Sequence, residues 1–409
     1  MSLPAAPGLS PQRLLDPAVI DDPYPFYGEL REAAPVWRVP GTDIFTVATF
    51  EALADAASRT DVISSNIEAL LYRDDEGVPA RIRFGSIGVQ TLATADPPLH
   101  ATHRAAVFPE LVAKRMLTLE PDITSLTNRL VQDALAIAPE FDFMSDVGNL
   151  VPITVIGWLI GFTDADPQAL LRAAFDSTEI LAATMSRPEL EAMFVRSDEI
   201  GTWLAGQLQQ ALDAPREDLL GAVARGVQSG AFTFENAVVV LHTLLSAGGE
   251  STSSLLGNAV RILAEQPELQ QRLRADPALI GPFVEEALRL ESPFRHHLRV
   301  AHADTELAGT PIPNGATLLM LWGSANRDPA EYERPDEVVL DRQTPRHHVS
   351  FGRGIHHCVG APLARIEAKV VLETLLDRTA RFELGGRPRW VDSLMVRRHA
   401  ELPLRCTPR

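Results

Sequence analysis

The sequence predicts a mainly α-helical fold with small β-sheets, on three observations. Apolar residues recur at helical spacing from about Ala101 to Leu290. Within that region Thr233 to Gln266 runs unbroken to Pro267, and at ~1.5 Å per residue it would cross a whole domain. Strand signals gather late, in "TELAGTPIPNGATLLMLW". No Gly/Ser linker, internal repeat or low-complexity tract divides the chain, so a single domain over residues 1–409 is expected.

Taken in order, "MSLPAAPGLSPQRLLDPAVIDDPYPFY" is interrupted by prolines and charges, and reads as neither a signal peptide nor a membrane span. The stretch from Ser64 to Ala95 is long and patternless and reads as a loop. Asp96-Pro97-Pro98 reads as a helix start, with Asp96 as cap and proline in the first turn, and sets His100 and Arg104 one turn apart. Thr233, Glu235 and Asn236 form a cap-like opening for the long helix. In the late strand region a hairpin turns at Asn314-Gly315, and Ala316 to Trp322 reads as a strand.

Composition narrows the function classes. Lys and Arg number 37 against 54 Asp and Glu, a net charge of −17, which argues against nucleic acid or an anionic membrane as the main partner. Two cysteines, Cys358 and Cys406, cannot build a disulfide framework, and a cytoplasmic monomer is expected.

Cys358 lies in "FGRGIHHCVG", among Gly352, Gly354 and Gly360. An inert buried cysteine would not need these glycines, which are best explained by sharp turns or close approach of a flat cofactor. Zinc held by His356, His357 and Cys358 fails because three adjacent residues do not readily converge on one tetrahedral ion. A nucleophilic Cys-His pair fails because sequence neighbours seldom face each other as base and nucleophile must. A thiolate ligand to haem iron remains.

Two further motifs stand out. On a helix Leu279, Phe283, Glu286 and Leu290 share one face, so Glu286 occupies a core position with Arg289 one turn on. Such a pair is buried and structural, not catalytic. "SAGGEST" puts Gly248, Gly249, Glu250 and Ser251 in mid-helix, where each glycine costs about 1 kcal/mol against alanine. One reading is a close helix crossing. The sharper one is a local opening beside the cofactor, where an acid and a hydroxyl relay protons to dioxygen.

"FGRGIHHCVGAPLAR", Phe351 to Arg365, resembles the haem-binding signature of the cytochromes P450, and with the other motifs the likeness spans nearly the whole chain. The resemblance implies a helix-rich lobe and a smaller β-rich lobe around haem b, with Cys358 as the iron ligand. It assigns Phe351, Gly352, Gly360, Ala247 and Gly248 to the cofactor's surroundings, and His100, Arg104, Arg299 and His356 to its propionates. His103 and His357 are neighbouring substitutes. It adds Arg342 to the Glu286-Arg289 pair as a structural triad, and makes Glu250, Ser251 and Thr252 the catalytic relay. Here the sequence departs from the family, with Ser251 where a threonine is usual and Thr252 next.

The implied function is monooxygenation driven by NAD(P)H through a separate ferredoxin and ferredoxin reductase, on a hydrophobic or amphipathic small organic substrate. A peroxide-driven peroxygenase and a non-catalytic haem sensor are the alternatives. The implied substrate pocket draws on the loop before Asp96, Ile180 to Met185, Ala247, Phe294, Arg295, His296, His297 and Leu298, and the turn at Leu394 and Met395. Arg295, His296 and His297 either point away from that pocket or meet an acidic substrate.

Overall fold

The computed structural model describes residues 9–83, 90–137 and 140–409. Its principal helices are α1 (Leu99–Val107), α2 (Glu120–Ile137), α3 (Leu150–Ile160), α4 (Pro167–Glu179), α5 (Arg187–Asp213), α6 (Leu219–Gln228), α7 (Phe234–Glu265), α8 (Ile280–Leu290) and α9 (Ala361–Arg378). The strands are β1 (Val36–Arg38), β2 (Ile44–Val47), β3 (Ile63–Ser64), β4 (Ala69–Arg73), β5 (Pro79–Arg83), β6 (Glu140–Asp142), β7 (His297–Ala301), β8 (Thr305–Leu307), β9 (Thr310–Ile312), β10 (Thr317–Met320), β11 (Thr379–Leu384), β12 (Arg389–Trp390), β13 (His399–Glu401) and β14 (Pro403–Pro408).

The long helix α7 is the axis of the larger core. Thr233 caps it, its hydroxyl accepting from the amide of Asn236 at 3.1 Å. It ends at Gln266, which leaves the helical conformation (φ −128°, ψ 80°) because Pro267 follows. Helices α3, α4, α5, α8 and α9 pack around it, and α3 carries no ionisable side chain at all. The prediction of a mainly helical chain with minor sheet therefore holds.

A five-stranded sheet in the order β1-β2-β10-β7-β3 forms the second layer. Every residue of β10 is buried, as a central strand covered on both faces requires. One cluster on the sheet includes Phe45, Leu318 and Trp322, and the other joins Ile44 and Leu319 to the N-terminal segment through Leu14, Phe26 and Leu30.

Three local expectations change. The hairpin is β8-β9 and turns at Ala308-Gly309, both at positive φ, whereas Gly315 bends the chain so that β10 pairs with β7. The region from Ser64 to Ala95 holds the β4-β5 hairpin, in which the Asp74 carboxylate accepts from the amides of Glu76 and Val78, with Gly77 at φ 77°. Asp96 does not cap α1, which starts after Pro98. Its carboxylate instead takes the Ser64 hydroxyl and the Ser65 amide, tying β3 to the entry of α1.

Candidate active site

The loop of Cys358 is built backward from helix α9. Gly352 and Gly354 adopt φ of 71° and 74°, and a Cβ on Gly354 would come within 3.1 Å of the Ala57 carbonyl oxygen, so glycine is required there. The Cys358 amide donates to the Phe351 carbonyl at 2.9 Å, closing the loop. Cys358 is exposed and free. Desolvation of the sulfur raises the thiol pKa, while the amides of Gly360 and Ala361 and the charges of Arg365 and Arg104 work in the opposite sense. A metal ion would supply the remaining drive to thiolate, since a coordinating thiol is deprotonated outright.

A buried carboxylate that sequence reasoning passed over anchors this loop. Glu285 of α8 receives the Arg365 guanidinium through both oxygens, at 2.7 and 3.0 Å, and the ring of His348 at 2.9 Å. Burial opposes its ionisation, but His348 and Arg365 overcome that and hold it at about 2. Arg365 also lies 4.6 Å from the centre of the Phe351 ring, so α8, α9 and the loop are tied at one point. The signal was the doublet Glu285-Glu286, of which only the second was singled out.

Glu286 behaves as expected. Arg289 grips it with both nitrogens at 2.8 and 2.9 Å, Arg342 adds a bond at 2.8 Å, and the Val339 amide donates at 2.8 Å. Arg289 reaches on to the carbonyls of Asn326, Pro335 and Glu337. The buried pair is thus fully hydrogen-bonded, which is the condition for a stable buried ion pair.

Beside the cysteine loop lies a cluster of nitrogen side chains, His100, His356 and Arg299. The rings of His100 and His356 are 4.4 Å apart. His356 Nε2 is buried with no hydrogen-bond partner among the described residues. Burial pushes His356 down to about 3, helped by the charges of Arg299, His100 and Arg104. Burial also lowers Arg299 to about 10, with Asp96 pulling the other way. Arg299 donates to its neighbour's carbonyl, Leu298 O, at 2.7 Å, and forms no ion pair with a described residue. A half-buried guanidinium without a carboxylate and an orphaned buried imidazole nitrogen are costly unless an anion joins them.

Arg104 is differently engaged from what the resemblance implied. It donates to the carbonyls of Ile355 at 3.0 Å and His357 at 3.3 Å, and so staples the cysteine loop from α1. The neighbouring His103 accepts from the Leu92 amide at 3.2 Å and packs on Phe232, which commits it to the core. His357 is exposed.

Along α7, Ala247 and Ser251 lie one turn apart on its less buried side, and the Ser251 hydroxyl donates to the Ala247 carbonyl at 2.5 Å. Thr252 is buried. The glycines follow from the close crossing and not from an opening: α7 is continuous. A Cβ on Gly248 would lie 2.6 Å from Ile156 Cγ1, and one on Gly249 would lie 2.9 Å from Ile153 Cδ1. Glu250, 3% exposed, bonds to Arg398 at 3.0 Å, a residue sequence reasoning did not single out. Burial raises Glu250 to about 7 in spite of Arg398.

The segments assigned to a pocket meet. Leu394 N donates to Ala182 O at 2.8 Å, Thr184 to Asp392 O at 2.9 Å, Arg73 N to Met185 O at 2.8 Å, and Phe294 bridges Val396. Arg295 and His296 require correction as candidates for an acidic substrate. The Arg295 guanidinium is 1% exposed and is spent on the carbonyls of Ile20, Ser393 and Val396, and His296 bonds the Leu394 carbonyl at 3.3 Å. His297 accepts the Trp322 indole N–H at 2.7 Å and packs edge-on to Phe294.

An accessible thiol on a glycine-shaped loop, next to the half-buried Arg299 without a described counter-ion and an orphaned His356 nitrogen, fits a flat cofactor with a thiolate-ligated metal and a carboxylate edge. The family model "Cytochrome P450" matches residues 207–385. The chain is 40% identical over 387 residues to Cytochrome P450 144 of Mycobacterium tuberculosis (strain CDC 1551 / Oshkosh), a match covering 94% of this chain and 89% of that one. Among solved structures it is similar to cytochrome P450 CYP109Q5 from Chondromyces apiculatus, at TM-score 0.83, 30% identity and coverage of 97% and 98%. It is also similar to CYP108D1 from Novosphingobium aromaticivorans DSM12444, at TM-score 0.85, 26% identity and full coverage of both chains.

Proposed function

This chain belongs to the cytochrome P450 family and is a monooxygenase of that family, and from that premise we propose that it oxygenates a hydrophobic small organic molecule without an essential carboxylate. When bound, thiolate-ligated haem supplies one-electron chemistry and favours O–O cleavage. Cys358 would be its thiolate ligand, and Arg299, His100 and His356 would hold its propionates. The observation that carries this reading is the half-buried Arg299 without a described counter-ion, beside an orphaned His356 nitrogen on the cysteine's own loop. Haem b, held without covalent linkage, suits a chain whose other cysteine, Cys406, is buried on β14.

The substrate reading rests on the pocket's side chains. Phe294, Leu298, Leu394 and Met395 are apolar, while Arg295 gives both terminal nitrogens, and His296 its Nδ1, to backbone carbonyls. An acidic ligand would therefore find no free cation from that pair. Electrons would come from a ferredoxin and its NAD(P)H-dependent reductase, for which the exposed rim near Cys358, with Arg353, Ile355 and the outward Arg346, offers a basic contact in an otherwise acidic chain. A cytoplasmic setting agrees with two free thiols, and no helix among the described residues is long and apolar enough to cross a membrane.

Ser251, on the Ala247 side of α7, would deliver the proton, and Glu250 would resupply it. Replacing Ser251 by alanine in the ferredoxin-driven system should divert most reducing equivalents to hydrogen peroxide, and Ser251→Thr should couple at least as well as the parent, because branching fixes the hydroxyl. Unchanged product per electron in Ser251→Ala would remove Ser251 from the relay. Product formation from peroxide alone at the ferredoxin-driven rate would favour a peroxygenase, and absence of any turnover a sensor.

A further inference from the structure

Glu250 is held in an unusual way for a buried carboxylate. One oxygen, Oε1, takes the Arg398 Nε–H at 3.0 Å, while Oε2 is buried with no described hydrogen-bond partner. Arg398 follows directly on the pocket turn at Leu394 and Met395 and precedes β13. Its guanidinium lies 3.8 Å from the centre of the Phe175 ring on α4 and donates weakly to the His399 carbonyl at 3.5 Å. The arginine is thus clamped between α4, α7 and the C-terminal segment, and only 11% of its side chain is exposed. At the structural carboxylates Glu285, Glu286 and Glu291 both oxygens are taken, by one arginine or by several donors together. Here one oxygen is left over.

We propose that Arg398 is a positioning residue for proton delivery: it fixes the Glu250 carboxylate through one oxygen so that the other stays free to accept and release a proton. This rests on the reading of Glu250 as the acid that serves Ser251. Two charges act on Glu250 besides its burial. Arg398 favours the ionised form, and Glu179, at the end of α4, favours the protonated one. Helix α3, packed against α7 at Gly248 and Gly249, adds no ionisable group. With burial and Glu179 opposing ionisation, Arg398 is what keeps the carboxyl able to cycle between its two states.

The test is an infrared titration of the buried carboxyl C=O stretch in the haem-loaded ferric protein, with the Glu250 band identified by its loss in Glu250→Gln. Arg398→Gln keeps a donor but removes the charge. It should move the band's midpoint to higher pH by at least one unit, a tenfold change in the protonation equilibrium. The pH profile of product per electron should shift in the same direction. Arg398→Lys, which restores the charge, should return both most of the way and also guards against a folding defect. An unmoved midpoint in Arg398→Gln overturns the proposal. If Glu250→Gln leaves coupling intact, the relay reading falls and the proposal with it. If Glu250→Gln uncouples the reaction while Arg398→Gln does not, the relay stands and Arg398 alone is refuted.

Discussion

Gly248 separates the two explanations of its motif, since the atoms nearest to an alanine Cβ there all belong to Ile156 of α3. An added Cβ would sit 2.6 Å from Ile156 Cγ1, 2.7 Å from Cδ1 and 3.1 Å from Cβ, against the roughly 3.5–4.0 Å of relaxed carbon contacts. Overpacking of this kind costs about 1–3 kcal/mol. Alanine in a helix interior also gains about 1 kcal/mol over glycine, which masks part of the clash. Gly201 in α5 removes that ambiguity, because a Cβ there meets nothing within 4 Å. Gly201→Ala should raise the urea midpoint of the haem-loaded protein and Gly248→Ala should lower it or leave it level, the difference reporting the clash of about 1–3 kcal/mol. In an Ile156→Ala background the cost of Gly248→Ala should disappear. Equal stabilisation by the two alanines would refute the close crossing.

Two further predictions concern buried charges. Glu285 has its pKa depressed to about 2, so its stabilising contribution is complete above the carboxylate's ordinary range near 4.5 and is lost as pH falls from there toward 2. Glu285→Gln should flatten the acid limb of the stability profile and cost about 3 kcal/mol at neutral pH, and acid unfolding curves of unchanged slope would contradict this. Arg295→Leu should strip the donor from three buried carbonyls and destabilise the fold by about 3 kcal/mol or more, while spin-state titrations with acidic ligands give parent affinity. Weakened acid binding at full stability would return Arg295 to the pocket.

Much of this was legible because it is local in sequence. Two positive-φ glycines, Gly352 and Gly354, precede Cys358 within ten residues, and Thr233 and Pro267 punctuate α7 directly. Glu286 announces itself as a charge on an apolar stripe. What escaped the sequence depends on chain segments far apart. Glu285 gains its meaning from His348 and Arg365, 63 and 80 residues away. Arg398 reaches Glu250 across 148 residues, with no periodicity to betray it. The same distance misled the reading of Gly248, since the side chain that excludes a Cβ belongs to α3. For Arg295 the sequence left two readings open, because the carbonyls of Ile20, Ser393 and Val396 that hold it belong to distant segments. In the hairpin, Asn314-Gly315 carries the stronger local turn signal, yet the sheet pairs β10 with β7.

The most direct test of the whole account is the absorption spectrum of the reduced carbonyl complex in the parent, Cys406→Ala and Cys358→Ala proteins, each loaded with haem. The account predicts the strongly red-shifted Soret band of thiolate ligation in the parent and in Cys406→Ala, and its complete loss in Cys358→Ala. A red-shifted band that survives in Cys358→Ala would contradict the assignment on which every functional step depends.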